Sequence, residues 1–258
     1  MSEIYDDQTF FKAYGKLPRS LDGLKVAGEW PALKRLIPDL KGKKVLDLGC
    51  GYGWHCQYFA ENGAEVIGLD ASEKMIAQAR QKNNHQNITY VVGSMENLDF
   101  PSEQFDFPSE QFDLVFSSLT IHYLADFPKL VQDVRRILRP SGQFLFSVEH
   151  PIYTSRKEQD FIYDANGQAL FFPVDNYFKT GARQTHFLGS PVEKFHRTVE
   201  DFIEPLLENG FSLRHLVEPV PTSEVIQQFH WENELRRPMM LIISAEKKIM
   251  TPKNHDEN

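Results

Sequence analysis

The segment KVLDLGCGYG at residues 44–53 decides the fold. Its first five residues form a short apolar run that ends directly at glycines, a pattern that predicts a buried β-strand followed by a tight turn. Residues 53–62 then predict a helix, because Asn62-Gly63 is typical of a helix end. EVIGLD at 65–70 predicts a second strand. A strand, helix and strand at this spacing form the βαβ unit of a parallel sheet.

The same alternation continues along the chain. Helices are predicted after Ser72 and Asp126, which are good N-cap residues, and the turn at 139–142 ends the second of these helices. Thr198 and Asp201 form a capping box for a helix through about residue 209, which Pro205 is expected to kink or shorten. The remaining strands are predicted at 88–92, 113–118, 143–149, 211–218 and 239–247. The fold class is therefore α/β.

The chain divides into five predicted parts. Residues 1–43 form a helical preface. Residues 44–150 form the ligand-binding core, 151–197 an insertion that is expected to cover the substrate, 198–247 the rest of the core fold, and 248–258 a frayed polar tail. The heptapeptide FPSEQFD occurs twice, at 100–106 and 107–113, and we expect the first copy to bulge outward as a loop duplication.

Composition excludes several classes of function. The 258 residues are 41% hydrophobic and 25% charged, with a net charge of −8 and no basic run, which argues against nucleic acid or an anionic membrane as a partner. The acidic N-terminus does not resemble a signal peptide, and no apolar stretch is long enough for a membrane helix. The two cysteines, Cys50 and Cys56, fit neither a zinc site nor a disulfide framework. We expect a cytoplasmic protein without a metal.

The glycine loop and the strand ends predict a nucleoside ligand. Glycines let a ligand approach the backbone, and a carboxylate at Asp70 can accept both ribose hydroxyls. A dinucleotide fingerprint requires a small third residue where Trp54 stands. Asp47 would repel a pyrophosphate but attract an ammonium group, directly or through water. These features favour S-adenosylmethionine over a dinucleotide.

The segments VLDLGCGYG, VIGLDAS and LRPSG resemble class I S-adenosylmethionine-dependent methyltransferases, in particular the type-11, ubiquinone/menaquinone-methyltransferase-like family. The resemblance implies a Rossmann-like, seven-stranded, mostly parallel sheet with an antiparallel last strand, helices on both faces and a lid insertion after strand five. It implies S-adenosylmethionine as cofactor and S-adenosylhomocysteine as product. The positions that it assigns to the cofactor are Asp47, Gly49, Cys50, Gly51, Asp70, Ala71, Met75, Ser94, Met95, Glu96 and Ser117. Ser94 stands where the family often has Asp.

Candidates outside the motif are less specific. Tyr14, Arg19 and Trp30 lie in the preface at 1–43, which similar families fold over the cofactor as a lid. The resemblance therefore implies that these residues close over the cofactor, with Arg19 on the methionine carboxylate; a surface helix packed on the sheet is the alternative. His122 and His150 follow strands four and five, where a histidine could remove a proton from the nucleophile. Each could instead be a hydrogen-bonded structural residue.

The insertion supplies the substrate candidates. Its aromatic residues could form a lid, a small satellite core or a dimer contact. The run Lys194–Arg197 could clamp an acidic substrate or face solvent. The predicted substrate-binding residues are Tyr123, Tyr177, His196 and Arg197.

We therefore predict a methyltransferase that transfers a methyl group to O, N or C of a small molecule, as a monomer or homodimer. The alternatives are a non-catalytic cofactor-binding protein and a methyltransferase that acts on protein or RNA.

Overall fold

A seven-stranded sheet forms the centre of the molecule. The computed structural model describes residues 2–98 and 109–249. Within these residues the strand order is β10-β11-β5-β4-β1-β2-β3, and all pairings are parallel except those of β11, which runs antiparallel to both of its neighbours. The predicted α/β class and the reversed last strand are confirmed. The strands of this sheet are β1 Lys44–Leu48, β2 Glu65–Asp70, β3 Ile88–Val92, β4 Phe112–Ser118, β5 Leu138–Glu149, β10 Phe211–Val217 and β11 Met240–Lys247.

Helices precede, connect and cover these strands. The α-helices are α1 Ser2–Asp6, α2 Gln8–Tyr14, α3 Pro18–Asp22, α4 Trp30–Leu36, α5 Trp54–Glu61, α6 Glu73–Lys82, α7 Phe127–Ile137, α8 Pro151–Thr154, α9 Val199–Glu208 and α10 Ser223–Phe229. Short 3₁₀ helices lie at Gly23–Val26, Ile121–Tyr123 and Glu232–Arg236. The predicted caps of α6, α7 and α9 are all formed, including the reciprocal Thr198–Asp201 capping box.

The segment after β5 contains two antiparallel hairpins. One joins β6 Ile162–Tyr163 to β7 Ala169–Phe171, and the other joins β8 Gly181–Phe187 to β9 Ser190–His196. The second hairpin contacts the 3₁₀ helix that follows β4. The insertion therefore lies against the carboxyl end of the sheet, where ligands bind in open α/β folds.

The core has two halves because successive residues of a strand point to opposite faces. Leu46 and Leu48 of β1 join a cluster with Phe127 and Leu130 of α7. Val45 of the same strand joins the opposite cluster, which contains buried residues of α5 and α6. Both faces of the sheet are thus covered, as the continuous apolar strands predict.

Two local predictions need correction. Strand β5 begins at Leu138 rather than at 143, because Leu138 already pairs with Phe112 of β4 and the chain bends within the strand at Ser141, whose φ is 61°. Pro205 does not shorten α9, which continues to Glu208. The expectation for the duplicated heptapeptide at 100–106, and that for most of the tail at 248–258, fall on residues outside the described ranges.

Candidate active site

The glycine loop forms the floor of a cleft at the carboxyl end of β1. Gly49, Gly51 and Gly53 have φ values of 73°, 54° and 75°, in the left-handed region that glycine adopts without strain. A Cβ atom on Gly49 would lie 2.3 Å from Cγ2 of Thr120, so the loop is also sterically closed to a side chain at that point. The backbone is therefore the surface that a ligand meets here.

Asp70 stands at the end of β2, beside the loop. Its Oδ2 accepts a hydrogen bond from the Gly51 N–H at 2.9 Å, and its Oδ1 accepts one from the Ser72 N–H, also at 2.9 Å. Burial raises the pKa of this carboxyl, and the two backbone N–H groups oppose that rise. Each oxygen retains a lone pair for a further donor. This geometry suits a pair of vicinal hydroxyls.

A cavity of about 420 Å³ extends from Asp70 across the loop to the ends of β4 and β5. Most of the predicted cofactor residues border it. They are Gly49, Cys50, Gly51, Asp70, Ala71, Met75, Ser94, Met95, Glu96, Tyr14 and Arg19.

Three predicted cofactor residues do not border the cavity. Asp47 lies beneath the loop at 1% exposure, where its Oδ2 accepts a hydrogen bond from the Cys56 thiol. Ser117 is fully buried and donates to the Leu48 carbonyl, which ties β4 to β1. Trp30 packs against His55 and Tyr58 on α5. The contacts of these three residues are thus with the protein, and any role of Asp47 toward the cofactor would act through the loop above it.

The N-terminal helices cover one side of the cavity. Asp6 accepts hydrogen bonds from the Ser72 hydroxyl and the Lys74 N–H, which fixes α1 to the start of α6. The Tyr5 hydroxyl donates to the Tyr123 hydroxyl at 3.2 Å, and Tyr5 lines the cavity. The N-terminal helices are thus bonded to the start of α6 on one side of the cavity and to Tyr123 on the other.

Arg19 reaches the cavity from α3. Its guanidinium pairs with the buried Glu29 carboxylate at 2.5 Å and donates to the Ser118 hydroxyl at 3.1 Å. The ion pair orients the guanidinium, which keeps further N–H groups free to donate. Among the described residues that line the cavity beside the loop, Arg19 is the only one with a cationic side chain. A carboxylate is the natural partner for this group.

His122 and Tyr123 line the far end of the cavity. Nδ1 of His122 accepts a hydrogen bond from the Glu149 N–H at 3.4 Å. Burial lowers the pKa of His122 to about 4, although the Glu149 carboxylate opposes this effect. The ring is therefore neutral at pH 7 and carries its proton on Nε2, so that it acts as a hydrogen-bond donor there.

The other predicted catalytic residue, His150, lies outside the cavity. Its Nδ1 accepts from the Ile152 N–H and caps α8, while its Nε2 lies 2.9 Å from Glu218. Both ring nitrogens are thus engaged in structural contacts. The alternative of a structural histidine describes this geometry better than a proton acceptor does.

Three of the four predicted substrate residues are also absent from the cavity wall. His196 bonds to Thr154 and to the Tyr177 carbonyl, and the Tyr177 hydroxyl accepts from the Val199 N–H. Arg197 donates to the carbonyls that precede α7 and stacks on phenylalanine rings. These residues fasten the insertion to the core.

Several lining residues were not predicted from the sequence. Glu149, the last residue of β5, pairs with Lys194 of β9 at 2.6 Å, and both border the cavity. Lys194 belongs to the run that was considered as a clamp for acidic substrates. The other additional lining residues include Tyr5, Thr120, Phe187, Met239 and Met240.

Two further features are absent from the described residues. These residues contain no group of three or more His, Cys, Asp or Glu side chains arranged to hold a metal ion. None of their helices combines the length and apolar character needed to span a bilayer.

Comparison with known proteins agrees with this geometry. Residues 46–146 match the family model described as a methyltransferase domain. An uncharacterised protein of Haemophilus influenzae is 35% identical over 252 residues, which cover 95% of this chain and 96% of that protein. The S-adenosylmethionine-dependent methyltransferase structure from Listeria monocytogenes is 44% identical, with a TM-score of 0.81, over 88% of this chain and 100% of that chain. A methyltransferase of the same cofactor class from Mesorhizobium loti is 40% identical, with a TM-score of 0.78, over 87% of this chain and 100% of that chain.

The sheet order, the glycine loop with its acidic strand ends, and these relatives lead to one assignment. The chain belongs to the class I S-adenosylmethionine-dependent methyltransferases of the type-11 family, and it is an enzyme that uses S-adenosylmethionine as its methyl donor.

Proposed function

We propose that this methyltransferase acts on a small molecule. The observation that carries the proposal is the cover over the acceptor end of the cavity. Tyr5 of α1 reaches across to Tyr123, and Phe187 and Lys194 enter from the hairpin β8–β9. A cavity of about 420 Å³ that these side chains cover suits a small acceptor beside the cofactor better than an RNA or polypeptide strand.

The residues present fit the cofactor. Asp70 would hold the ribose hydroxyls, and Ala71, Met75 and Met95 would flank the adenine. The adenine amine would meet Ser94 or Glu96. Arg19 would bind the methionine carboxylate, and the backbone of Gly49 and Gly51 would lie against the amino-acid moiety.

The protein's contribution to the reaction is alignment and exclusion of water. S-adenosylmethionine supplies a methyl group on a positively charged sulfur, so that on transfer the C–S electron pair stays on sulfur and neutral S-adenosylhomocysteine remains. Tyr5, Tyr14 and Phe187 keep water away from the acceptor side. The walls that carry His122 and Tyr123 hold the acceptor in line with the methyl group, which is the main source of rate acceleration in such a displacement.

We expect His122 to act as a donor that orients the acceptor. His122→Gln, which keeps an N–H group, should retain roughly two- to tenfold more activity than His122→Phe, since one hydrogen bond contributes roughly 0.5–1.5 kcal/mol. The wild-type rate should not depend on His122 ionisation between pH 6 and 8, because its pKa of about 4 leaves the ring neutral throughout. The measurement is kcat/KM against pH for the three proteins. Equal loss in both variants, with a rate that falls as His122 protonates near neutrality, would instead identify a general base.

The acceptor class can be tested without knowing the acceptor. Purified enzyme is given methyl-labelled S-adenosylmethionine together with the small-molecule filtrate, the RNA fraction or the protein fraction of a cell extract. We expect label in a compound of the filtrate. Enzyme-dependent label in the RNA or protein fraction alone would refute a small acceptor. Calorimetry with S-adenosylhomocysteine serves as the check that the cofactor site is intact.

A further inference from the structure

Among the described residues that line the acceptor end of the cavity, Glu149 supplies a carboxylate that is partly buried. The side chain of Glu149 is 17% exposed, whereas that of its partner Lys194 is 5% exposed. Both border the cavity. Both side chains therefore reach the cavity wall, and the side chain of Glu149 is the more exposed of the two.

Residues of the insertion hold this carboxylate in place. Lys194 Nζ donates to Oε1 at 2.6 Å, and Gln159 Nε2 donates to Oε2 at 2.9 Å. Gln159 is itself fixed, because its Oε1 accepts from Lys194 and from the Thr185 hydroxyl. Each carboxylate oxygen thus has one protein donor and a remaining lone pair.

The ion pair keeps Glu149 ionised. Burial alone would raise the pKa of this carboxyl, but the pKa lies below its ordinary value, and the partners that remain when the His122 ring is neutral are the Lys194 ammonium and the Gln159 amide. A buried ion pair rarely adds stability compared with apolar residues of the same volume. Because the Glu149–Lys194 pair lies on the wall of the cavity, we interpret it as a part of the functional site rather than as a source of stability.

The other charged groups near this end have protein partners of their own. Lys194 is engaged by Glu149 and Gln159 and lies near the rings of Tyr123 and Phe187. Arg19 is engaged by Glu29 and Ser118, and Arg197 is turned toward the start of α7. Among the described residues that line the acceptor end, Glu149 is consequently the more exposed member of the ion pair that a substrate meets.

We propose that Glu149 accepts a hydrogen bond from the nucleophile of the acceptor, and that the acceptor is therefore an alcohol, a phenol or an amine rather than a carboxylic acid. This inference rests on the proposed function. It extends that function from a small molecule to one that presents an O–H or N–H group, with an aromatic wall of Tyr5, Tyr123 and Phe187 to receive its apolar body.

The proton balance is simple. The acceptor loses its O–H or N–H bond and gains an O–C or N–C bond to the methyl carbon. The proton leaves along the hydrogen bond to the Glu149 carboxylate, which releases it to water. The protein ends the reaction unchanged.

Three probes of similar size test the class of acceptor. Phenol, benzylamine and benzoate are titrated into the enzyme saturated with S-adenosylhomocysteine, and binding is followed by saturation-transfer NMR. We expect phenol or benzylamine to bind at least tenfold more tightly than benzoate, and the stronger of the two decides between a hydroxyl and an amine. Tighter binding of benzoate, or binding of none of the three, would overturn the inference. Failure of S-adenosylhomocysteine itself to bind would instead contradict the proposed function.

Variants assign the effect to the carboxylate. Glu149→Gln should bind S-adenosylhomocysteine normally and lose the preference for the donor probe at least tenfold, whereas the exposed Glu158→Gln should behave as the wild type. Because Glu149→Gln leaves Lys194 buried without its partner, the double variant Glu149→Gln/Lys194→Met provides a second measurement. An unchanged preference in the folded double variant would also overturn the inference.

Discussion

Replacing Asp70 with alanine is expected to raise the dissociation constant of S-adenosylhomocysteine roughly 10- to 150-fold, or about 1.5–3 kcal/mol. The carboxylate is buried, already accepts the N–H groups of Gly51 and Ser72, and has lone pairs left for two ribose hydroxyls. Its removal leaves the ligand's hydroxyls and both backbone donors without an acceptor. The measurement is isothermal titration calorimetry at pH 7.5.

The controls separate ribose binding from a general loss of structure. Asp70→Asn keeps the shape and one acceptor oxygen, so its affinity should fall between those of the wild type and Asp70→Ala. Asp39→Ala removes an exposed aspartate on the loop before β1 and should leave affinity unchanged. Wild-type affinity in Asp70→Ala would remove the ribose assignment.

The fold was predictable because its signals are local. An apolar run that ends at glycines fixes β1, and capping side chains such as Ser72 and Asp126 fix the starts of helices within one residue. The strands β2, β3 and β4 follow the same apolar pattern. Strand β5 was less predictable at its start, because a chain bend at Ser141 within a paired strand resembles a turn in the sequence.

The cofactor side of the site was also predictable, since the loop and Asp70 are adjacent to strands that the sequence defines. The acceptor side depends on the direction of single side chains. His150 and Glu149 are neighbours where β5 ends and α8 begins, and the sequence does not show which of the two side chains faces the cavity. The sequence favoured the histidine because of its chemistry, whereas the structure places the carboxylate at the cavity and uses the histidine as a helix cap.

Long-range contacts account for the rest. Lys194 reaches Glu149 across 45 positions of the chain, and Tyr5 meets Tyr123 across 118. No local pattern distinguishes Lys194 from a solvent-facing lysine. Its role depends on how the hairpin β8–β9 docks on the 3₁₀ helix after β4, which is a property of tertiary packing.

Asp47 provides the second large prediction, because it is a carboxyl group buried without a cationic partner. The cysteine thiol of Cys56 is its hydrogen-bond partner at 3.3 Å. Burial raises the pKa of Asp47 to about 7, an effect to which Asp70 adds and which Cys56 and Arg19 oppose. In the cofactor-free enzyme this residue is therefore protonated at mildly acidic pH and becomes a costly buried charge above pH 7.

The effect on stability has a definite sign. A carboxyl whose pKa is higher in the folded than in the unfolded state favours unfolding once the unfolded group has ionised. Below pH 4 the ionisation of Asp47 thus hardly affects the free energy of unfolding. As the pH rises it lowers this free energy, and above pH 7 the effect is complete. Each unit by which the pKa in the folded state exceeds that in the unfolded state corresponds to about 1.4 kcal/mol, so the free energy of unfolding falls by about 4 kcal/mol in all.

We accordingly expect Asp47→Asn to stabilise the cofactor-free enzyme by up to about 4 kcal/mol at pH 8 and by much less at pH 5. Asparagine has nearly the same shape but cannot ionise, so the difference between variant and wild type should grow as pH rises. The measurement is the free energy of unfolding by urea at both pH values, with Asp39→Asn as an exposed control that should show no such growth. If the free energies of unfolding of variant and wild type differ by the same amount at pH 5 and pH 8, Asp47 does not titrate in this range. Its charge would then be balanced within the loop even before the positively charged donor binds.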